Sequence, residues 1–216
     1  MKRVVGGLLS LTMLLISCGG NQSSRRSSGS DGALVEDTTR TDERKPVSGF
    51  KSVAVYDASV VDIRLCADSG YSVRVNGGKS YVEAQKAEVK DEEMILKFDH
   101  QLAGKRKTQA TIVAPTLQGI KVVNCGKLMV GGEQIACPNF VLNLEKVNVA
   151  QINSMIRASY VEARLAHVMF AEFRMDCDAL LLSVQSVGHA KVFGRAKKQN
   201  LKVDAMESLD LAGLKK

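Results

Sequence analysis

The sequence predicts an all-β protein, a parallel β-helix whose coils are about 20 residues long. Two observations lead to this fold. One spacing of apolar residues, i, i+2, i+5, i+8 and i+10, recurs five times from Ile120 onward. Its copies begin 22, 19, 21 and 19 residues apart, a period typical of one solenoid coil. Within each copy, the pairs two residues apart have the period of strands rather than that of helices.

The first element in chain order is an apolar segment from Val4 to Ser17, which follows Lys2 and Arg3. It is about half as long as a membrane-spanning helix, so residues 1–17 are interpreted as a secretory signal peptide. The segment ends in Leu-Ile-Ser-Cys, which resembles a bacterial lipobox, and Cys18 is the predicted lipidation site. Acyl chains on Cys18 would hold the protein to a membrane. The alternative is a plain signal peptide followed by an incidental cysteine.

Residues 18–48 are predicted to be a flexible tether, because they are rich in Ser, Gly and charged residues and lack an apolar period. Basic and acidic residues balance there, so no polybasic lipid-binding arm is expected. The formal net charge of +7 is spread thinly over the whole chain, and nucleic acid is not an expected partner. With no Trp and only 5% aromatic residues, recognition by aromatic stacking is disfavoured.

Residues 49–216 are predicted to form one domain, and its first half is predicted to consist of strands separated by turns. The stretch from Ser80 to Glu93 fits neither strand nor helix cleanly, and we expect a short turn of helix followed by a hairpin at Asp91. The strand positions are Val53 and Val55, then Val61, Ile63 and Leu65, then Val73 and Val75, then Met94, Leu96 and Phe98, then Ala110 and Ile112.

In the second half, all twenty-five positions of the five copies are apolar, and stacked coils would place them in one continuous core. The last copy is shorter than a full coil, which predicts an open edge near Lys215 and Lys216 and makes a homo-oligomer conceivable. The copies are Ile120, Val122, Cys125, Leu128, Val130; Leu142, Leu144, Val147, Ala150, Ile152; Val161, Ala163, Ala166, Met169, Ala171; Leu182, Val184, Val187, Ala190, Val192; and Leu201, Val203, Met206, Leu209, Leu211.

The order of these features resembles the auto-transporter adhesin, head GIN domain family of Bacteroidetes envelope lipoproteins. The matching segments are Gly49-Phe50, VDIRL at 61–65, YSVRVNGG at 71–78, MILKF at 94–98 and TIVAPTLQGIKV at 111–122. The resemblance implies a right-handed β-helix in the cell envelope and supplies no catalytic residues. Family members often place Ser-Gly pairs at the coil corners, whereas the corners here contain Asn124-Cys125-Gly126, Glu145-Lys146-Val147 and Ser186-Val187-Gly188.

Parallel β-helices include polysaccharide-cleaving enzymes, which need carboxylates clustered on one outward face. The outward positions i+1 and i+9 never place two carboxylates on adjacent coils, so no catalytic residues are predicted. Met129 and Phe170 share the i+9 row with one coil between them and are a candidate partner-facing patch. Scattered surface apolar residues are the alternative interpretation.

Buried free thiols are expected at Cys125, Cys137 and Cys177, because Cys137 and Cys177 would lie about 9.6 Å apart on stacked coils. That separation is too long for a disulfide. Cys66 has no predicted role.

His167 and His189 fall near neighbouring corners but lack a third ligand, so no metal is expected. The run of residues 76–80, NGGKS, predicts a tight turn rather than a phosphate loop, because Val73 occupies the place of the first glycine.

The sequence therefore predicts a lipid-anchored binding or adhesion module of the cell envelope, an outer-membrane lipoprotein on the surface or periplasmic face. It predicts no cofactor, and the expected partners are the membrane and an unidentified protein or glycan. The alternatives are an enzyme that acts on polysaccharide and a purely structural periplasmic lipoprotein.

Overall fold

The structure is a computed structural model that describes residues 40–98 and 108–215. The predicted signal peptide at 1–17, the lipidation site Cys18 and the tether up to residue 39 lie outside the described residues. The elements are β1 (Arg40–Lys45), β2 (Ser52–Tyr56), β3 (Val60–Leu65), β4 (Ser72–Gly78), α1 (Lys79–Ala84), β5 (Ala87–Lys90), β6 (Glu93–Lys97), β7 (Gln109–Ala114), β8 (Gly119–Gly132), β9 (Ile135–Asp210) and β10 (Leu214–Lys215). Within these ranges, no helix is both long and apolar enough to span a membrane.

The strands form one mixed sheet, and the predicted right-handed parallel β-helix is therefore wrong. Most pairs are parallel, but β1 with β4, β4 with β7 and β5 with β6 are antiparallel. The sheet order is β1-β4-β7-β3-β8-β2-β6-β5, with β9 and β10 joined on the other side of β8. The prediction extended the parallel stacking of the second half to the whole domain. Connections as short as Asp91-Glu92, between β5 and β6, permit only antiparallel pairing.

Long strand β8 connects the two halves of the fold. Its first part, from Gly119 to Val123, pairs with β2, and its last part, from Lys127 to Gly132, pairs with β3. The bend between the parts lies at Asn124, which has a φ of 55°, and it stacks on the turn at Asp57, which has a φ of 60°. The side-chain amide of Asn124 donates a hydrogen bond to Asp57 Oδ1 at 2.6 Å. The two turns therefore brace each other where the sheet changes direction.

The register between the first two copies of the apolar spacing is confirmed. In the parallel pair of β8 with β9, Ile120 pairs with Leu142, Cys125 with Val147 and Val130 with Ile152. All the positions of these two copies are buried in one core cluster. The spacing thus identified correctly which residues of these two copies stack.

The third copy is displaced by two residues from the predicted one. Val168 is buried, whereas Met169, a predicted core position, is 65% exposed. Ala163, Leu165, Val168, Ala171 and Phe173 all fit the same spacing and are all buried. A strand shifted by two residues keeps the same faces, so alternation alone could not distinguish the two registers.

Non-glycine residues with positive φ mark the same place in every copy. Each is the fifth residue of its copy: Asn124, Lys146, His167, Ser186 and Ala205, with φ between 49° and 55°. Three of them lie in the corner triplets predicted from the sequence. With the third copy corrected, the copies begin 22, 21, 19 and 19 residues apart.

The expected helix and hairpin between Ser80 and Glu93 are confirmed. α1 covers Lys79–Ala84, and β5 and β6 form an antiparallel hairpin with its turn at Asp91 and Glu92. The end of the predicted tether differs, because Arg40–Lys45 forms β1. Lys45 is buried there, donates to the Val82 carbonyl and pairs with Glu43 at 2.9 Å.

Candidate functional site

A polar groove of about 410 Å³ lies on the outward face of β1, β4, β7 and β3, which are neighbours in the sheet. Alternation along each strand creates this face, because residues such as Val73, Val75 and Ile112 point into the core and the residues between them point outward. We call it the arginine groove. Its lining residues are Asp42, Arg44, Arg64, Ser72, Arg74, Asn76, Gln109, Thr111 and Val113.

The strand register arranges the groove residues in rows across the sheet. In one row Arg44 lies opposite Arg74, which in turn lies opposite Thr111. In the next row Asp42 lies opposite Asn76, and Asn76 opposite Gln109. Facing residues on adjacent antiparallel strands have Cβ atoms about 5 Å apart. The groove therefore presents charged and amide groups at regular spacing.

Two of the three arginines have carboxylate partners at the surface. Arg64 pairs with Asp62 at 2.8 Å, and Arg74 pairs with Asp42 at 3.5 Å. Both guanidinium groups stay largely exposed, at 65% and 61%. The Arg74–Asp42 pair is exposed on both sides, so it contributes little to stability and Arg74 can exchange Asp42 for a ligand at low cost, whereas Asp62, the partner of Arg64, is only 13% exposed.

A second, shallower cleft of about 330 Å³ contains two of the cysteines. Cys137 and Cys177 line it together with Arg157, Ala158, Ser159, Asp176 and Asp178. Cys125, Cys137 and Cys177 are free thiols, as expected, and so is the exposed Cys66; Cys125 and Cys177 are buried, whereas Cys137 is only half-buried. Burial raises the pKa of Cys125 to about 11. Burial, followed by the flanking carboxylates, raises the pKa of Cys177 to about 11, so both thiols are poor nucleophiles near neutral pH.

The carboxylates that flank Cys177 pair with basic residues 19 positions further along β9. Asp176 accepts two hydrogen bonds from Arg195, at 3.0 and 3.2 Å. Lys197 lies 2.7 Å from Asp178 and, mainly by hydrogen bonding, lowers the pKa of that carboxyl group. The segment lies within β9 and forms part of the contact between successive copies.

The predicted patch of Met129 and Phe170 is not brought together in one row by the corrected register. Both residues are half-buried, and Met129 lies opposite Asp62 and Gln151. Once the third copy is shifted by two residues, Phe170 falls level with Val149 rather than with Gln151. A partner-facing role for these two residues stays a prediction.

The two histidines occupy different positions in their copies of the spacing. His167 is at a corner with a φ of 54°, and His189 lies 3.7 Å from Glu207. In the part of the chain that the structure describes, no group of three His, Cys, Asp or Glu side chains could hold a metal ion. The run at 76–80 was predicted to be a tight turn, but it is the end of β4 followed by the start of α1.

The arginine groove was not predicted from the sequence. Its signal was present in the polar residues that alternate with the core positions of β4 and β7. Two groove residues, Asp42 and Arg44, lie on β1, in a segment that was predicted to belong to the tether. A strand rich in charge and poor in apolar residues has no hydrophobic period to reveal it.

The fold and the groove define an all-β protein with a polar outward sheet face. Residues 49–216 match the family model described as "Putative auto-transporter adhesin, head GIN domain", and the chain belongs to this family. The match has the same limits as the predicted domain. No curated protein matches the chain.

The chain is also similar to several solved structures. A "putative adhesin" from Bacteroides fragilis NCTC 9343 has 12% identity and a TM-score of 0.48, covering 82% of this chain and 97% of that one. A "putative adhesin" from Parabacteroides merdae ATCC 43184 has 7% identity and a TM-score of 0.42, covering 83% and 96%. A "putative lipid binding protein" from Parabacteroides distasonis ATCC 8503 has 8% identity and a TM-score of 0.36, covering 83% and 98%.

Proposed function

We propose that this protein is a binding module of the adhesin type in the bacterial cell envelope, without catalytic activity. The observation that carries the proposal is the family match over residues 49–216. An enzyme acting on polysaccharide is the weaker alternative, because such cleavage needs carboxylates clustered on one face, and Asp42 is the one described carboxylate that lines the arginine groove.

We further propose that lipidation of Cys18 anchors the module to the outer membrane. The support is the lipobox-like Leu15-Ile16-Ser17-Cys18 after an apolar segment. The test is fractionation of cells that express the full chain or its Cys18→Ser variant. The wild-type chain should sediment with membranes, and the variant should not. Cys66→Ser is the matched control, since Cys66 is an exposed thiol of the folded domain.

The location decides between adhesion and a purely structural periplasmic role. A surface adhesin should be cleaved when protease is added to intact cells, whereas a periplasmic protein should be protected. Binding is tested with the mature chain carrying Cys18→Ser on an array of glycans and host-matrix proteins. Protection from protease together with a silent array would favour the structural role and overturn the adhesin proposal.

We also propose that two copies associate through the segment 201–205, LKVDA. All five residues are exposed, including Leu201 at 38% and Val203 at 51%, which occupy core positions of the repeat spacing. A two-fold axis at Val203 would pair the segment antiparallel with itself. That register places Lys202 of one copy opposite Asp204 of the other, twice, so the segment is complementary to itself in charge.

A further inference from the structure

We propose that the arginine groove binds an acidic glycan, a polysaccharide that carries carboxylate or sulfate groups. The inference rests on the proposed binding function and names its ligand class. The first support is the charge of the lining, which comprises Arg44, Arg64 and Arg74 but only one carboxylate, that of Asp42. With Asp62, which pairs with Arg64 beside the groove, three arginines still face two carboxylates, so an anion that enters the groove meets a net positive surface.

The second support is the row that places Arg44 directly opposite Arg74 on adjacent antiparallel strands. Like charges that face each other across a strand pair destabilise a sheet. Asp42 lies 3.5 Å from Arg74, but no described carboxylate forms an ion pair with Arg44. An oxyanion between the two guanidinium groups would neutralise this repulsion.

The third support is the chemistry of the uncharged lining. Ser72, Asn76, Gln109 and Thr111 bring hydroxyl and amide groups to the same groove. Such groups can both donate to and accept from sugar hydroxyls, while guanidinium groups form paired hydrogen bonds with carboxylate or sulfate oxygens. Val113 is the one apolar lining residue, which disfavours an acyl chain as the ligand.

The shape of the site fits a chain better than a small isolated anion. The groove is open and crosses four strands; residues within a row lie about 4.8 Å apart, and successive rows repeat every two residues along the strands, about 6.8 Å apart. A polysaccharide with regularly placed acidic groups could contact several rows at once, whereas a single phosphate would contact one.

The test uses the mature chain, which begins at residue 18, with the substitution Cys18→Ser. It measures binding to polygalacturonate, to chondroitin sulfate and to neutral dextran. We expect both acidic polymers to bind and dextran not to bind, with affinity falling as salt is raised. Arg44→Gln should weaken binding about tenfold or more, because it removes a charge-assisted contact. The matched control Arg157→Gln, an exposed arginine outside the groove, should leave the Kd within about twofold.

Three outcomes would overturn the inference. An equal loss of affinity in Arg44→Gln and Arg157→Gln would mean that the acidic polymers bind by general charge attraction to the protein surface. Equal binding of dextran would mean that the acidic groups are not recognised. Full displacement of the polymer by inorganic phosphate, at a concentration equal to the polymer's Kd, would mean that the groove recognises an isolated oxyanion only.

Failure of this inference can be told apart from failure of the adhesin proposal. An array ligand bound equally well by the wild-type chain and by Arg44→Gln would overturn the groove assignment and leave the binding function standing. Conversely, polymer binding that depends on Arg44, found in a protein protected from protease on intact cells, would support the groove and overturn surface adhesion. Unfolding curves of both variants show whether any loss of binding comes from misfolding.

Discussion

At the scale of single residues, backbone geometry at Gly132 holds the end of β8 against β3. Gly132 has a φ of 101°, and a Cβ atom there would meet the Leu65 carbonyl oxygen. Its neighbour Gly131 has no heavy atom within 4 Å of the equivalent position. Adjacent glycines of one strand therefore differ completely in their tolerance of a side chain.

We predict that Gly132→Ala lowers the free energy of unfolding by about 2 kcal/mol or more, through positive φ and a backbone clash. Gly131→Ala should change it by less than about 1 kcal/mol, because it adds a methyl group in open space. Chemical denaturation of both variants checks the prediction. A similar loss in both would show that the clash at Gly132 is relieved by movement of β3.

The buried thiols make stability dependent on alkaline pH. The folded-state pKa of Cys125 is about 11 against an ordinary value of 9.0, so above pH 9 the unfolded chain releases this proton first. We predict that the free energy of unfolding is unaffected by this group below pH 9 and falls between pH 9 and pH 11. In Cys125→Ala the fall should be smaller, whereas Cys66→Ala, at an exposed thiol, should leave it unchanged.

A pH profile of denaturation midpoints between pH 7 and pH 10.5 measures this effect. Both variants are compared with the wild-type chain under reducing conditions. If the stability of Cys125→Ala falls with pH in parallel with that of the wild-type chain, the Cys125 thiol does not cause the loss of stability at alkaline pH. Cys177 would then be the next thiol to replace.

At the scale of elements, the register of the third copy has a direct mutational test. Val168 is buried and Met169 is 65% exposed, the reverse of what the sequence predicted for Met169. We predict that Val168→Ala lowers the free energy of unfolding by about 2 kcal/mol, and that Met169→Ala changes it by less than about 0.5 kcal/mol. Thermal and chemical unfolding measure both, and a larger loss at Met169 would contradict the observed register.

Elements with a strong apolar period could be predicted from the sequence, and elements without one could not. The pairing of Ile120 with Leu142 followed from spacing alone, because burial on one face specifies register up to a shift of two residues. β1 could not be found this way, since all six of its residues, RTDERK, are charged or polar. It becomes a strand because β4 offers a free edge and Lys45 reaches the Val82 carbonyl.

The arginine groove was hidden for the same reason. Arg44 and Arg74 lie far apart in the sequence. They face each other because β1 and β4 pair antiparallel, and no local sequence pattern predicts this pairing. The mixed character of the sheet was also out of reach, because strand direction depends on the connections between strands rather than on the apolar positions within them.

At the scale of the whole molecule, the exposed segment 201–205 determines how copies of the chain would associate. We predict that the mature chain with Cys18→Ser dimerises, and that Lys202→Asp or Asp204→Lys alone makes it monomeric by placing like charges opposite each other. The double exchange, Lys202→Asp with Asp204→Lys, should restore the dimer. Sedimentation or light scattering over a concentration series measures the oligomeric state.

Restoration by the double exchange separates specific pairing from general charge effects. The exchange of Lys191 for Asp serves as a control, since Lys191 is an exposed lysine of β9 outside the segment. A monomeric wild-type chain at all concentrations, or a double variant that stays monomeric, would exclude the proposed register.

β1 occupies the end of the sheet order, where β4 is its one neighbour among the described strands, and it carries Asp42 and Arg44. If Cys18 is anchored in a membrane, a pulling force between the cell and a bound ligand would be transmitted through the tether. This force would reach β1 before the other described strands. Peeling β1 away would also withdraw one guanidinium from the groove. Mechanical force and ligand affinity would thus be coupled through the six residues of β1. A strong force would release the ligand while the hydrophobic core stayed folded.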